Sequence, residues 1–228
     1  MTVYPRCILK PGKEAAILRK HPWIFSGAVM KIDKVREGDV IEVYSSAGKY
    51  LATGHYSKSS ITVKILSFEQ QEIDQAFWNK KILEAYELRK GLGLTQNELT
   101  NACRLVHSEG DGMPGVIIDW YNGTAVIQIH SWGMFQARLF LAESLNEILG
   151  ERLKAIYNKS FETLKSQMSQ TNIPVPADEY LYGQHEDTTI LESGHAFHVN
   201  WEAGQKTGFF LDQRANRILL QSYSQNKK

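Results

Sequence analysis

Two turn residues, Asn122 and Gly123, separate two runs rich in β-branched and aromatic side chains, and this arrangement limits the fold of the chain more than any other feature. The first run covers residues 116–121 and the second covers residues 124–130. Asn-Gly between such runs is the strongest short-range signal for a β-hairpin, because both turn residues then adopt positive φ. The sequence therefore predicts an antiparallel hairpin near the middle of the chain.

The residues around this hairpin predict helices and further strands. Apolar side chains recur at spacings of three and four before a helix stop at Lys90 and Gly91, and again further along the chain. The predicted helices cover residues 73–90 and 135–148, and the additional strands cover residues 104–107 and 155–157. These elements indicate a compact α+β domain. Residues 161–185 are polar and include two prolines, and they predict a loop or linker.

The first segment of the chain has mostly β patterning and ends near Phe68. Short strands are predicted at residues 39–44, 50–56 and 61–66, which favour a small antiparallel barrel or sandwich. A helix is predicted before them, at residues 12–19. Pro22 disfavours a helical conformation at the preceding histidine, so the basic side chains next to it are expected at a helix-to-strand corner.

The last segment has a second hairpin signal, with Ser193-Gly194 between residues 188–192 and 195–200. A helix is predicted at residues 211–221, and the chain then continues into a polar tail at residues 222–228.

The charge of the chain is unevenly distributed. The net charge of the 228 residues is +1, but residues 1–67 hold 11 Lys or Arg against 5 Asp or Glu, a net charge of +6. The remaining residues carry a net charge of −5. A basic first third favours contact with a polyanion, because neutralising phosphates is the main source of non-specific affinity for nucleic acids. A solvated basic face without a partner is the alternative on charge alone.

The composition is that of an ordinary soluble globular protein, with 43% hydrophobic and 22% charged residues. No run approaches 18 apolar residues, and residues 1–10 lack a hydrophobic signal core, so we expect a cytoplasmic protein. The two cysteines, Cys7 and Cys103, fit a reducing compartment. Neither has an adjacent base, which favours buried small hydrophobes over nucleophiles.

Three short motifs contain residue types that also occur in ligand sites, but each has a simpler interpretation. His195 and His198 on a strand point to opposite faces and do not share a metal, so no metal site is predicted. The segment 204–208, Gly-Gln-Lys-Thr-Gly, lacks the spacing of a phosphate-binding loop. The spacing of residues 109–115 does not match a calcium loop, and its two acidic residues are interpreted as turn formers that orient a neighbouring basic residue such as Arg104.

Three segments, taken in order, resemble the bacterial S-adenosylmethionine-dependent large-subunit ribosomal RNA methyltransferases that make 5-methylcytosine. They are Lys-Pro-Gly-Lys at residues 10–13 with Arg-Lys-His-Pro-Trp-Ile-Phe-Ser-Gly at residues 19–27, Glu-Gly-Asp-Gly-Met-Pro-Gly-Val-Ile-Ile-Asp at residues 109–119, and Gln-Lys-Thr-Gly-Phe-Phe-Leu-Asp-Gln-Arg at residues 205–214 with Asn216 and Arg217. The resemblance covers nearly the whole chain.

The resemblance implies an α+β protein in three parts. Residues 1–68 would form a PUA-like RNA-binding β-barrel, and residues 69–185 a central α+β RNA-binding domain with its linker. Residues 186–228 would be the leading hairpin and helix of a doubly wound methyltransferase domain, truncated before the motif that binds the cofactor. This truncated segment would pack on the central domain or be buried in a second copy, as a homodimer.

The resemblance also implies a partner, a cofactor and sites. Ribosomal RNA would be the partner, with no membrane involved, and its contacts would be Lys10, Lys13, Arg19, Lys20 and His21. S-adenosylmethionine would be the cofactor of the full-length family, with the edge of its pocket formed by Lys206, Thr207, Gly208, Phe209, Phe210, Asp212, Gln213 and Arg217. The family's Gly-rich cofactor turn and catalytic cysteine segment have no counterpart in these residues, so no catalytic residue is assigned.

We therefore expect an RNA-recognition portion of a 23S rRNA cytosine-C5 methyltransferase that is inactive and binds no cofactor by itself. Two alternatives remain: a stand-alone RNA-binding protein derived from that family, and an unrelated two-domain protein with a basic surface.

Overall fold

A computed structural model describes residues 3–95, 97–169 and 173–224 of the chain. Within these ranges the strands form a six-stranded sheet, a five-stranded sheet and a two-stranded hairpin.

The N-terminal sheet contains six strands and one short helix. In chain order they are β1 (Arg6–Leu9), α1 (Ala15–Leu18), β2 (Trp23–Phe25), β3 (Val29–Ile32), β4 (Val40–Tyr44), β5 (Tyr50–Tyr56) and β6 (Ile61–Ser67). The strand order is β2-β6-β5-β4-β1-β3, and every pair is antiparallel except β1 with β4. Alternate side chains of these strands, including Leu9, Ile41 and Val43, form a core of their own.

The central sheet is covered by helices on one face. Its elements are α2 (Gln75–Gly91), β7 (Ala102–His107), β8 (Val116–Tyr121), β9 (Thr124–Ile129), α3 (Trp132–Gln136), α4 (Arg138–Leu149), β10 (Ala155–Asn158), α5 (Phe161–Gln167) and β11 (Glu179–Gly183). The strand order is β11-β10-β9-β8-β7, with β9 and β10 parallel. Ile82 of α2, Leu141 of α4 and Ile127 of β9 belong to one buried cluster, so α2 and α4 pack against the sheet.

Local sequence signals start and connect these elements. The Asp74 side chain accepts a hydrogen bond of 2.9 Å from the Phe77 N–H and caps the first turn of α2. Asn122 and Gly123 have φ values of 42° and 106°, and Tyr121 pairs with Thr124 across the turn. The predicted central hairpin is confirmed.

The prediction that residues 161–185 form a loop or linker is wrong. This range contains α5 and β11, and β11 pairs antiparallel with β10 to complete the central sheet. The polar composition is misleading because β11 lies at the edge of the sheet, and three of its five residues are exposed.

The C-terminal segment packs on the face of the central sheet opposite α2 and α4. It consists of β12 (Thr189–Glu192), β13 (His195–His198) and α6 (Arg214–Ser224). Val199, Trp201 and Leu211 are buried against Tyr121 and Tyr157. Of the two expected arrangements, the structure shows packing on the central domain, and the homodimer gains no support. The end of the predicted polar tail, residues 225–228, lies outside the described residues.

The N-terminal sheet contacts the central domain through β5 and α3. Gly133 in α3 has no room for a side chain, because a Cβ atom there would overlap the imidazole of His55 in β5. The two cores are thereby held in close contact. None of the helices in the described ranges is long and apolar enough to cross a membrane.

Candidate RNA interface and cofactor edge

The five residues expected to contact RNA lie on one exposed part of the N-terminal domain. Lys10, Lys13, Arg19, Lys20 and His21 are all exposed, and among the described residues no carboxylate lies within 4 Å of their charged atoms. Lys10 Nζ donates to the Gly27 carbonyl oxygen at 3.0 Å, and Lys20 Nζ lies 4.4 Å from the centre of the Phe68 ring. The cationic groups are thus free to pair with an external anion.

The corner that carries these residues is tightly constructed. Lys20 follows the end of α1 with a φ of 63°, a conformation that is unfavourable for a residue with a Cβ atom. His21 Nδ1 lies 3.2 Å from the Trp23 backbone nitrogen. The rings of His21, Trp23 and Phe25 contact one another with centroid distances of 6.0 to 6.4 Å. The packed corner fixes the positions of the basic side chains beside it.

This corner is joined to the loop at residues 109–115. The Trp23 indole Nε1–H donates to Glu109 Oε1 at 3.0 Å, across 86 residues of sequence. Burial raises the pKa of Glu109, but hydrogen bonds from Ser108, the backbone and Trp23, together with the charge of Lys64, lower the pKa overall. The first two motifs of the sequence therefore meet, a contact that no local pattern could reveal.

The second carboxylate of this loop orients a basic residue, as expected, but that residue is Arg89 and not Arg104. Asp111 is bound by both terminal nitrogens of the buried Arg89 guanidinium, at 2.5 and 2.8 Å, and it accepts a hydrogen bond from the His107 N–H. Arg104 is instead paired with Asp119, at 2.8 and 3.0 Å. The expectation that the loop orients Arg104 is thus wrong: Arg104 lies beside β8 and Arg89 reaches the loop from α2.

The third motif is anchored on the central sheet by a buried polar network. Thr207 is 1% exposed, and its hydroxyl donates to Asp119 Oδ2 at 2.6 Å. The Tyr121 hydroxyl lies 3.0 Å from the same Thr207 oxygen, and burial strongly raises the pKa of Tyr121. The preceding Lys206 has a φ of 51°, so the motif turns sharply where it enters this network. Thr207 is therefore a support of the loop.

Other residues of the expected cofactor edge also have internal partners. A Cβ atom at Gly208 would crowd the backbone of Asn200 and Trp201. The guanidinium carbon of Arg217 lies 4.4 Å from the centre of the Phe209 ring. Two nitrogens of the same guanidinium donate to the Glu192 carboxylate at 2.5 and 3.0 Å.

The remaining four residues of this edge, Lys206, Phe210, Asp212 and Gln213, are exposed. Lys206 Nζ lies 5.1 Å from the centre of the Phe210 ring. A cation, an aromatic ring, a carboxylate and an amide are groups that can bind the carboxylate, adenine and amino groups of an amino-acid nucleoside such as S-adenosylmethionine. These four exposed residues fit one edge of such a ligand. The buried residues of the motif hold the loop that carries them.

The two cysteines and the histidines of the C-terminal hairpin are the remaining candidate groups. Cys7 and Cys103 are free and buried, and burial raises the pKa of each thiol to about 11, which disfavours the reactive thiolate. His198 Nδ1 lies 3.4 Å from the Thr189 hydroxyl across the C-terminal hairpin. Within the described ranges, no group of three or more His, Cys, Asp or Glu side chains is arranged to hold a metal ion.

Comparison with known families and proteins agrees with this architecture. A family profile described as a PUA-like domain matches residues 7–68. The chain is 32% identical over 232 residues to ribosomal RNA large subunit methyltransferase I of Klebsiella pneumoniae subsp. pneumoniae, covering 100% of this chain and 56% of the relative. It is 35% identical over 228 residues to the protein of the same name from Escherichia coli, covering 98% of this chain and 56% of that protein. The chain thus spans about half the length of the curated relatives it matches.

Solved structures show the same fold. A protein from Streptococcus mutans described as a SAM-dependent methyltransferase superposes with a TM-score of 0.75 at 23% identity, over 94% of this chain and 53% of that one. A second structure, of a methyltransferase complexed with SAH, gives a TM-score of 0.76 at 24% identity over the same shares. The fold is therefore a mixed α/β architecture with a curled N-terminal sheet, similar to that of SAM-dependent methyltransferases.

Proposed function

We propose that this chain is the RNA-recognition portion of a SAM-dependent methyltransferase that modifies a cytosine C5 position in 23S rRNA. Its end-to-end similarity to large-subunit rRNA methyltransferases supports the substrate class. The observation that carries the proposal is the exposed corner of Lys10, Lys13, Arg19, Lys20 and His21, whose charges have no acidic partner among the described residues.

In this proposal the N-terminal and central domains bind the RNA fold together. Trp23 and Glu109 connect the two domains directly beneath the basic corner, so a strand bound there contacts a rigid surface. RNA-binding proteins recognise the shape of the RNA and its unpaired nucleotides, because the major groove of an RNA duplex is too deep and narrow for side chains to read.

The C-terminal segment would form one edge of the cofactor site. S-adenosylmethionine would supply the methyl group when bound. Lys206, Phe210, Asp212 and Gln213 would contact it, and Thr207 and Arg217 would fix the loop through Asp119 and Glu192.

The 228-residue chain by itself is expected to bind RNA without transferring a methyl group. A stand-alone RNA-binding protein is the second candidate, and it is favoured by the packing of Ile190, Val199, Trp201 and Leu211 of the C-terminal segment on the central sheet. Incubating the chain with radiolabelled S-adenosylmethionine and unmodified 23S rRNA tests this point. Incorporation of one methyl group per RNA would contradict the expected inactivity.

The RNA contacts are tested by charge removal. The triple variant Lys13→Ala, Arg19→Ala and Lys20→Ala should bind an rRNA fragment more weakly, with the slope of log Kd against log salt reduced by about one for each lost phosphate contact. A control with the same loss of charge replaces Lys31, Lys34 and Lys49, which are exposed elsewhere on the N-terminal domain.

Equal slopes for the two triple variants would refute the assignment of the corner as the RNA contact. Such a result would instead indicate that the basic first third acts through its total charge.

A further inference from the structure

A cleft of about 840 Å³ lies between the N-terminal sheet and the central domain, and none of its lining residues belongs to the proposed RNA contacts or to the cofactor edge. On one side it is lined by the segment from Ser57 to Ile61 and by Lys64 of β6. On the other side it is lined by His130, Ser131 and Trp132 and by the end of α5. Its volume is within the range of small-molecule sites in proteins.

The cleft contains two cations that form no salt bridge with the described residues. Lys64 is half-buried and Lys58 is exposed, and no carboxylate of the described residues lies within 4 Å of either ammonium group. Glu37 also lines the cleft, but its carboxylate accepts a hydrogen bond from the Lys58 backbone N–H at 2.7 Å. Burial lowers the pKa of Lys64, although the charges of Glu109 and Glu37 act from a longer distance to raise it. A half-buried lysine without a close counter-ion is costly for a folded protein, which favours an external anion at this place.

Two polar groups at the inner wall also lack a partner. His130 Nε2 and the Ser131 hydroxyl are buried and form no hydrogen bond with the described residues. Ser131 precedes α3, yet its side chain does not cap that helix. Buried polar groups are nearly always satisfied in folded proteins, so two such groups next to one cleft indicate a ligand that supplies the missing bonds.

The cleft adjoins the corner formed by His21, Trp23 and Phe25. Phe25, 49% exposed, pairs in register with Ile61 of β6. The next residue, Ser26, lines the cleft, and its backbone N–H donates a hydrogen bond to the Ser60 carbonyl oxygen at 2.9 Å. A nucleic-acid strand bound at the corner can therefore continue along β2 into the cleft.

We propose that this cleft binds one unpaired nucleotide of the RNA, with its phosphate beside Lys58 and Lys64 and its base against His130, Ser131 and Trp132. A nucleotide supplies an anionic phosphate for the two lysines and a base edge that can form hydrogen bonds with His130 and Ser131. An unpaired base is accessible to such groups, whereas a base within a duplex is not. The inference rests on the proposed RNA-binding function and adds a specific subsite to it.

Binding of a fluorescently labelled oligouridine of eight nucleotides tests the subsite, with an RNA duplex of matched length as comparison. Lys58→Gln and Lys64→Gln should each weaken binding of the single strand roughly three- to tenfold, with a smaller effect on the duplex. Lys49→Gln removes the same charge from the turn between β4 and β5, outside the cleft lining, and should change neither.

Ser131→Ala separates a role in binding from a role in folding. Because the hydroxyl has no partner among the described residues, its removal should leave the free energy of unfolding unchanged or raise it, yet weaken oligouridine binding. Burial and the nearby charge of Lys64 lower the pKa of His130, so a bound phosphate should raise that pKa in an NMR titration.

The outcomes are distinguishable. Normal oligouridine binding by Lys58→Gln, Lys64→Gln and Ser131→Ala would overturn the subsite and leave the proposed function intact. Equal losses for single strand and duplex would also overturn it, in favour of general charge attraction. Failure of the unmodified chain to bind the rRNA fragment would overturn the proposed function and, with it, the subsite.

Discussion

At the scale of single residues, Asp119 shows how a buried charge can join separate parts of a chain. It is fully buried in β8 and accepts hydrogen bonds from Arg104 of β7 and from Thr207 of the C-terminal segment. A carboxylate in this position is stable only when its oxygens are bonded, so the network fixes the C-terminal loop on the sheet.

Thr207→Val should lower the free energy of unfolding by about 1 to 3 kcal/mol, because Asp119 loses a donor and Tyr121 loses an acceptor inside the protein. Thr207→Ser keeps the hydroxyl and should retain most of the stability. Urea denaturation of both variants measures the difference. A loss in Thr207→Ser with none in Thr207→Val would show that the methyl group, and not the hydroxyl, matters.

Sequence reasoning predicted the exposure of the candidate RNA contacts, but not the partners of the charged residues near them. The exposed cations at Lys13 and Arg19 follow from composition and from the corner before Pro22. The partners of Asp111 and Arg104 do not, because both ion pairs depend on how α2 and β8 are placed in three dimensions. The cleft at Lys64 and His130 was missed for the same reason, since its walls come from different domains and carry no shared motif.

At the scale of elements, α6 is held mainly by its first turns. Arg214 and Arg217 both bind Glu192, which is 2% exposed on β12, whereas the apolar residues further along the helix are exposed. Those exposed residues are Ile218, Leu219, Leu220 and Tyr223. Burial raises the pKa of Glu192, but the two guanidinium groups lower it overall, so the carboxylate is a strong anchor.

Glu192→Gln should loosen α6 without unfolding the sheets, since it removes the charge that holds both arginines. Hydrogen exchange of the α6 amides should become roughly tenfold faster or more, while the amides of β8 and β9 stay protected. Glu186→Gln, at an exposed position, is the control. Unchanged exchange in α6 would mean that the helix is held by other contacts.

The elements that the sequence predicted well are those with local signals. Asn122-Gly123 and Ser193-Gly194 both form tight turns with positive φ at each residue, and the flanking strands followed from them. The short strands β1 and β3, and the edge strand β11, were missed because they depend on pairing with distant partners. The loop predicted across residues 161–185 was the largest error of this kind.

At the scale of the whole molecule, His55 links the N-terminal sheet to the central domain. It is 5% exposed, its imidazole contacts Gly133 and lies 6.4 Å from the Trp78 ring centroid, and its Nδ1 has no hydrogen bond with the described residues. Burial, together with the charge of Lys64, lowers the pKa of His55 to about 4. Protonation of this side chain therefore opposes the contact between the two domains.

Stability should consequently depend on pH through His55. The unfolded chain binds the proton near pH 6.5 and the folded protein only near pH 4, so the full contribution is present above pH 6.5 and is lost as the pH falls toward 4. The maximum loss is about 3 kcal/mol. Denaturation of the unmodified protein at pH 7 and pH 5 measures this change.

The variant His55→Asn should be less stable at pH 7 but show a flatter pH dependence. His195→Asn, at an exposed position, should keep the slope of the unmodified protein. An equal slope in His55→Asn would assign the pH dependence to other groups, first of all to His130, whose pKa burial also lowers.

The hydrogen bond between Trp23 and Glu109 has a consequence for how the molecule assembles. Its partners are 86 residues apart and belong to domains whose cores form from different residues. Because closing so long a loop costs entropy before the contact is gained, we expect the bond to form late in folding. The indole of Trp23, one of five tryptophans in the chain, would then report the moment when the N-terminal and central domains come together.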